Sequence, residues 1–299
     1  MAKKRFGRQM LARFVREGRG TGTYQTYIPW HQVRRSDPSS RGRSHLIAWR
    51  ERHIELLSDL EWIGCCFALM MPSVIDVREQ FPLAIESSSH ELCAYDVTTP
   101  VACLYPGTGA LAREFGIKHP MVHDEGVDLV WTMTTDLLLT IREPGGQCQL
   151  IAIACKYDKE IDNRRTHDKL LVEATYWQRR KVRWLLFTPR LYDELVALTL
   201  RRSFGWFTGP EVTAGQRRVA TAITQRAQGR SLTGTLCDIA SQLGDMSLAQ
   251  RAFWKCVWQA EIPLDLHRGW RPHAPINLLC PNAFAAQNPI ASKRSSWTS

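Results

Sequence analysis

The stretch that decides the fold is a hairpin with the strands Thr134-Thr-Asp136-Leu-Leu-Leu-Thr-Ile141 and Gln149-Leu-Ile-Ala-Ile-Ala-Cys-Lys156. Between them, Arg142-Glu-Pro-Gly-Gly-Gln147 has the residue types of a tight turn. If the turn centres near Gly146, the numbers of directly opposed residues total about 292, which places Asp136 opposite Lys156. A carboxylate and an ammonium are therefore expected together at the open end of the hairpin. An ordinary cross-strand salt bridge, worth under about 1 kcal/mol when exposed, is one explanation of such a pair.

An acidic helix start precedes the hairpin in the chain. Ser58-Asp-Leu-Glu61 predicts a helix that runs through Phe67 and stops at Pro72. Because Ser-x-x-Glu is also the capping-box pattern, Glu61 has two interpretations, a cap of its own helix or an acidic group that faces the hairpin. The alternation of apolar and polar residues over 73–81 then predicts a half-buried strand.

Glu61, Asp136 and Lys156 together form the kind of set that metal-dependent nucleases use. Carboxylate oxygens suit Mg²⁺ or Mn²⁺, and a nearby cation positions or activates water and offsets developing charge. Spacing alone does not separate this site from a chance pairing on a hairpin. We expect both carboxylates at a solvent-accessible rim.

Length and charge bound the class of protein. With 299 residues, 44% of them hydrophobic, the chain can bury a large core in one large or two ordinary domains. There are 39 Lys plus Arg against 29 acidic residues, a formal charge of +10, which favours a polyanionic partner such as nucleic acid. A merely basic soluble protein has the same balance.

The N-terminal residues, the apolar runs and the cysteine spacing narrow the class of protein. The first residues have no secretory signal pattern, and no apolar run is long enough to span a bilayer, so we expect a cytoplasmic protein without a membrane partner. The nine cysteines include no C-x-x-C pair, which favours reduced thiols over structural zinc.

Composition predicts four zones. Residues 1–43 are basic and rich in Gly and Ser, typical of an extended arm, and 44–195 form a mixed α/β domain with an inserted loop over 86–115. Residues 205–280 are expected to form a small helical domain, and 281–299 a disordered tail.

The small helical domain has three predicted helices, over 211–227, 231–243 and 247–260, followed by a wing over 263–279. Trp254 and Trp258 lie on one face of the third helix. Such a face is more often core than a platform on which nucleic-acid bases stack.

Several stretches, in family order over about residues 17 to 190, resemble the TnsA family, the endonuclease subunits of Tn7-like heteromeric transposases. They are Gly18-Arg-Gly-Thr-Gly22, Tyr27-Ile-Pro-Trp30, Ser44-His45, Leu56-Leu-Ser-Asp-Leu-Glu61, Val77-Arg-Glu-Gln-Phe-Pro82, Gly116-Ile-Lys-His-Pro120, Thr135-Asp136, Tyr176-Trp177, Trp184 and Phe187-Thr188.

The resemblance implies an α/β fold with a restriction-endonuclease-like mixed sheet flanked by helices, followed by a small winged-helix-like domain. It implies Glu61, Asp136 and Lys156 as catalytic residues, and Glu61, Asp136 and Glu173 as ligands of Mg²⁺ or Mn²⁺. The expected activity is cleavage of the 5′ ends of a transposon. The expected partners are DNA at the transposon ends, a TnsB-like integrase-type transposase and a TnsC-like AAA+ ATPase.

One residue departs from the family pattern. Ala154 stands two residues before Lys156, where related folds have Glu or Gln, so a ligand or orienting group is missing. Metal binding is then expected to use Glu61, Asp136, main-chain carbonyls near Cys155 and water. A standalone restriction-like or repair nuclease, and an assembly module without catalysis, are the two alternative functions.

Overall fold

The chain divides into two compact units. The computed structural model of the protein describes residues 7–34, 43–95, 103–124, 126–268 and 270–297. The first unit comprises 1–62 and 73–188, and the second comprises 63–72 and 189–298.

The first unit is mixed α/β. Its elements are α1 (Arg8–Arg16), β1 (His45–Trp49), β2 (Arg52–Leu56), the start of α2 (Asp59–Leu69), β3 (Val74–Pro82), α3 (Thr108–Glu114), β4 (Met121–Asp124), β5 (Val127–Val130), β6 (Thr134–Arg142), β7 (Cys148–Cys155), α4 (Asp158–Ile161), α5 (Arg164–Arg179) and β8 (Arg183–Phe187).

The main sheet has the strand order β3-β6-β7-β8. Strands β3, β6 and β7 pair antiparallel, whereas β8 runs parallel to β7 because α5 provides the crossover between them. Leu138 and Ala152 of the sheet pack with Val172 and Trp177 of α5 in a buried cluster. The expected mixed sheet flanked by helices is confirmed. Helix α3 lies within the expected inserted loop, and its Leu111 belongs to the same cluster.

The described part of the N-terminal segment is not an extended arm. Helix α1 buries Phe14 completely, and the ring of Trp30 meets that of Phe14 edge-on at 5.4 Å between centroids. The Tyr27 hydroxyl donates to the main-chain oxygen of Glu79 on β3 at 2.9 Å. A few large apolar residues anchor residues 7–34 in the first unit, and the basic composition of this segment does not reveal them. The basic residues at the start of the expected arm, Lys3, Lys4 and Arg5, lie outside the described residues.

Gly20 allows this segment to approach the sheet. Its φ is +80°, and a Cβ atom built on it would lie 2.1 Å from Cγ of Pro82. Only glycine fits both the left-handed conformation and this contact with the end of β3.

The second unit is helical. It contains α6 (Glu194–Phe207), α7 (Ala214–Gln225), α8 (Leu232–Leu243), α9 (Met246–Trp258) and α10 (Pro281–Ala286). Helices α7, α8 and α9 confirm the three expected helices. Helix α6 was not predicted, and it begins where the mixed domain was expected to end. Trp254 and Trp258 are buried, and Phe207 stacks on Trp258 at 4.4 Å, which confirms the core interpretation of that face.

The end of the chain differs from the expected disordered tail. Residues 281–297 include α10, and Phe284 and Ile290 are buried. The Asn288 side chain donates to the main-chain oxygen of Phe67 at 2.7 Å, within the same unit. These apolar anchors are too few to shift the polar composition of the segment. The winged-helix assignment of 205–280 stays a prediction.

Within the described part of the chain, every helix is too short or too polar to cross a lipid bilayer.

Candidate active site

The hairpin of β6 and β7 brings Asp136 and Lys156 together. The Lys156 Nζ lies 2.8 Å from Oδ2 of Asp136 and 2.9 Å from the main-chain oxygen of Cys155. The same Oδ2 accepts the Cys155 N–H at 2.7 Å. The expected convergence is confirmed, and Asp136 is held by both the main chain and the side chain of the return strand.

The register differs from the expectation by two residues. Leu137 pairs with Ile153, so the position opposite Asp136 falls at Ala154. The Glu143 N–H donates to Gln147, which centres the turn one residue before Gly146. The contact survives because the four-carbon stem of Lys156 reaches back to Asp136.

Glu61 makes cap-like contacts and also faces the hairpin. Ser58 Oγ accepts the Glu61 N–H at 3.1 Å and donates to its Oε1 at 3.0 Å, and the Leu57 N–H donates to its Oε2 at 2.8 Å. The carboxylate therefore receives the N–H of the residue before Ser58, and not that of Ser58 as a capping box requires. Asp136 and Lys156 are both electrostatic neighbours of Glu61.

Gln80 is a site residue that the sequence argument missed. Its Nε2 donates to Oε2 of Glu61 at 3.0 Å, and it is almost fully buried. Its φ is +48°, a left-handed backbone conformation within β3 that residues other than glycine rarely adopt. The signal available in the sequence was the polar run Arg78-Glu-Gln80 in a strand expected to alternate.

Glu173 lies on α5 beside the same hairpin. Its Oε1 accepts from Thr135 Oγ1 at 2.8 Å and from the Trp184 indole at 3.1 Å. The Trp177 indole in turn donates to Thr135 at 2.7 Å. These neutral donors fix the orientation of the Glu173 side chain.

The electrostatics of the site show one negative centre shared by several buried groups. Burial, and next the charge of Asp136, raises the pKa of Glu61 to about 8 and that of Glu173 to about 7. For Lys156, burial opposes the charge, but attraction to Asp136 prevails and raises its pKa, so the ammonium stays protonated. Glu61 and Asp136 are buried, which corrects the expectation of a solvent-accessible rim.

The chemistry of the donor atoms suits a hard divalent cation. Glu61, Asp136 and the Cys155 carbonyl offer oxygen atoms only, the ligands that Mg²⁺ and Mn²⁺ prefer. A protonated amine already lies between the oxygens of Asp136 and Cys155. In the described residues, however, no three His, Cys, Asp or Glu side chains are grouped to hold a metal. Glu61, Asp136 and Glu173 are electrostatic neighbours and not a preformed cage.

A comparison with known proteins finds a match that includes most of this site. Residues 71–189 match the family model described as TnsA-like endonuclease N terminal. This range includes Asp136, Lys156 and Glu173 and begins after Glu61. This part of the chain is therefore similar to the N-terminal endonuclease domain of TnsA proteins.

A relative in that family is the Transposon Tn7 transposition protein TnsA of Escherichia coli. The chain is 36% identical to it over 197 residues, which is 65% of this chain. The match spans 62% of that TnsA protein, so about two fifths of the relative lies outside the comparison.

Proposed function

We propose that this TnsA-like protein is a metal-dependent DNA endonuclease that cuts the 5′ ends, the non-transferred strands, of a Tn7-like transposon. The observation that carries the proposal is the Lys156–Asp136 contact in a TnsA-like endonuclease domain, with the Glu61 carboxylate beside it. A partly exposed ammonium held on a buried carboxylate contributes little to stability by itself.

Each site residue has a distinct role in this proposal. Glu61, Asp136 and the Cys155 carbonyl would hold Mg²⁺ or Mn²⁺, which lowers the pKa of bound water and stabilises charge on the phosphate. Gln80 and the Leu57 N–H orient Glu61. Lys156 stays protonated, so it donates to the attacking water or to a phosphate oxygen and does not serve as the general base.

Glu173 acts at one remove from the reacting atoms. Thr135 and Trp184 donate to its Oε1, and its partial charge near Asp136 helps to keep the site negative. We assign it to tuning the affinity for the cation, or to completing the ligand set when the cation binds.

The proposed partners follow from this function. DNA at the transposon ends is the substrate, and a TnsB-like transposase that joins the 3′ ends and a TnsC-like ATPase complete the assembly. Ala154 favours the alternative of an assembly module without catalysis, because no acidic side chain stands two residues before Lys156. Titration with Mn²⁺ by calorimetry separates the two, since the alternative predicts no specific binding.

The paired variants Glu61→Gln and Ser58→Ala test the proposal. Glu61→Gln keeps the size and hydrogen-bonding capacity of the side chain but removes a ligand charge, so we expect loss of Mn²⁺ binding and of DNA cleavage in the assembled complex. Ser58→Ala removes the hydroxyl that accepts the Glu61 N–H, so we expect a loss of about 1 kcal/mol in stability with cleavage retained.

The comparison separates the two interpretations of Glu61. Full cleavage by Glu61→Gln would show that this residue serves only its own helix. If both variants lose cleavage while each stays as stable as the wild type, Ser58 belongs to the site.

A further inference from the structure

The first unit has a concave site that includes none of Glu61, Asp136, Lys156 or Glu173. It is a cavity of about 540 Å³, and aromatic and apolar side chains form much of its wall. They include Trp30, Phe81 and Tyr176. We call it the Arg78 cavity, after the charged residue in its lining.

Arg78 is buried in this cavity without a counter-ion among the described residues. It is 3% exposed, and its Nε and Nη2 have no hydrogen-bond acceptor there. Its guanidinium lies over the rings of Phe81 and Tyr95, at 4.6 and 5.0 Å from their centroids. Leaving a buried guanidinium unpaired is costly, so Arg78 calls for an anionic partner that the described residues do not supply.

The two free donors of Arg78 have a defined geometry. Nε–H and Nη2–H lie on the same edge of the planar guanidinium, which is the fork that binds two oxygens of a phosphate or carboxylate. The neighbouring Arg180 provides a contrast within the chain. It donates to Glu91 Oε1 at 3.1 Å, to Ser88 Oγ at 2.9 Å and to the main-chain oxygen of Pro106 at 3.0 Å.

Two further polar atoms of the cavity wall are unsatisfied in the described part of the chain. The indole Nε1 of Trp30 is a buried donor without an acceptor, and Oε2 of Glu91 is a buried acceptor without a donor. Both residues line the cavity with Arg78. The wall thus contains a fork for an anion, one single donor and one acceptor next to aromatic rings, all closed to solvent in the unliganded protein. A ligand reaches these atoms only when the side chains of the wall move apart.

We propose that the Arg78 cavity binds one nucleotide, with its phosphate on Arg78 and its base against the aromatic wall. The base offers a ring acceptor or carbonyl to the Trp30 indole and an amino group to Glu91. An acidic side chain of a protein would satisfy Arg78 but would bring no donor for Glu91 from the same group. The cavity volume lies within the range of pockets for small ligands, about 300–1,000 Å³.

This inference rests on the proposed function in one respect, that the nucleotide belongs to a DNA strand near the cleavage site. A free mononucleotide has the same chemistry, so both sources are tested. The experiments use the full-length protein in EDTA, where no cleavage occurs, so failure of the nuclease proposal and failure of this one are distinguishable.

The readout is the Trp30 indole N–H resonance, assigned by comparison with Trp30→Phe and titrated with deoxyadenosine monophosphate and with a short single-stranded oligonucleotide. We expect a saturable shift with at least one of them. Arg78→Met should weaken that binding at least tenfold, and the exposed Arg142→Gln should leave it unchanged. A strand as the source predicts that the oligonucleotide binds more tightly than the mononucleotide, and the reverse order indicates a free nucleotide.

Folding provides an independent check. Because Arg78 has no partner in the described residues, we expect Arg78→Met to unfold at the same or a higher temperature than the wild type without nucleotide. Arg78→Lys keeps the charge but lacks the fork, and it should also lose binding. The proposal is overturned if an acidic peptide shifts the Trp30 resonance and neither nucleotide probe does. It is also overturned if Arg78→Lys binds as the wild type.

Discussion

At the scale of single residues, Glu61 shows that a cap and a site carboxylate need not be alternatives. One oxygen contacts the Ser58 hydroxyl, and the other receives the Leu57 N–H and the Gln80 amide. Ser-x-x-Glu predicted a local partner correctly and could not show the neighbours from the sheet, because Gln80 and Asp136 come from strands distant in sequence. The same carboxylate is fixed by its helix and presented to Asp136.

Glu61→Gln should stabilise the metal-free protein at alkaline pH. Burial first, and then the charge of Asp136, raises the pKa of Glu61 from 4.5 to about 8. Between these values the folded state holds a proton that the unfolded state has released, so wild-type stability falls as the pH rises through this window. Glutamine does not ionise, and the free energy of unfolding of the variant should exceed that of the wild type by about 1–3 kcal/mol above pH 8.

The measurement is urea unfolding in EDTA at several pH values between about 4 and 9. Below the ordinary pKa of glutamate the difference between the two proteins should reach its minimum. A difference that does not change with pH would show that Glu61 carries no such penalty in the folded protein.

At the scale of elements, the hairpin was predictable and the terminal segments were not. Two apolar runs around a Gly-Gly turn specify β6 and β7 from local sequence, although an error of one residue in the turn centre moved the register by two. Residues 7–34 and 281–297 are anchored by isolated apolar side chains such as Phe14 and Ile290. Composition averaged over a segment cannot detect such anchors.

The N-terminal segment should therefore contribute to stability. Phe14→Ala removes a fully buried ring that contacts Trp30 and lies 3.8 Å from the Arg19 guanidinium, so we expect a loss of about 3–4 kcal/mol. Val15→Ala is the matched control, because Val15 is the next residue of α1 and is 70% exposed. Its effect should stay within about 0.5 kcal/mol. If Phe14→Ala and Val15→Ala have equal midpoints in chemical unfolding, this segment does not pack as described.

At the scale of the whole molecule, the net charge of +10 and the site residues serve one proposed task on DNA. The sequence predicted the partner class from charge and family resemblance, and the site from the hairpin. It could not predict the shared electrostatics, because the raised pKa values of Glu61 and Glu173 depend on burial that three separate parts of the chain create together.

Asp136→Asn tests the division of labour in the proposed assembly. The variant keeps the size of the side chain but loses the charge that binds Lys156 and would hold Mg²⁺, so the 5′ cuts should cease. Joining of the 3′ ends by the partner transposase should continue. We expect products to shift from simple insertions to cointegrates, in which donor and target stay fused, with total joining largely retained.

Sequencing of products from a donor-plasmid assay measures this shift. Simple insertions at the wild-type share would remove Asp136 from strand cutting. Loss of all joining, with the purified variant folded, would give Asp136 a structural role in the assembly.

The contact of Gly20 with Pro82 also restricts how this gene can vary. Every single-base change in a glycine codon that alters the amino acid introduces a side chain with a Cβ atom. At position 20 that atom would lie 2.1 Å from Pro82 in a backbone conformation with φ +80°. Any missense mutation of this codon is therefore expected to displace the N-terminal segment from β3, whichever base is replaced.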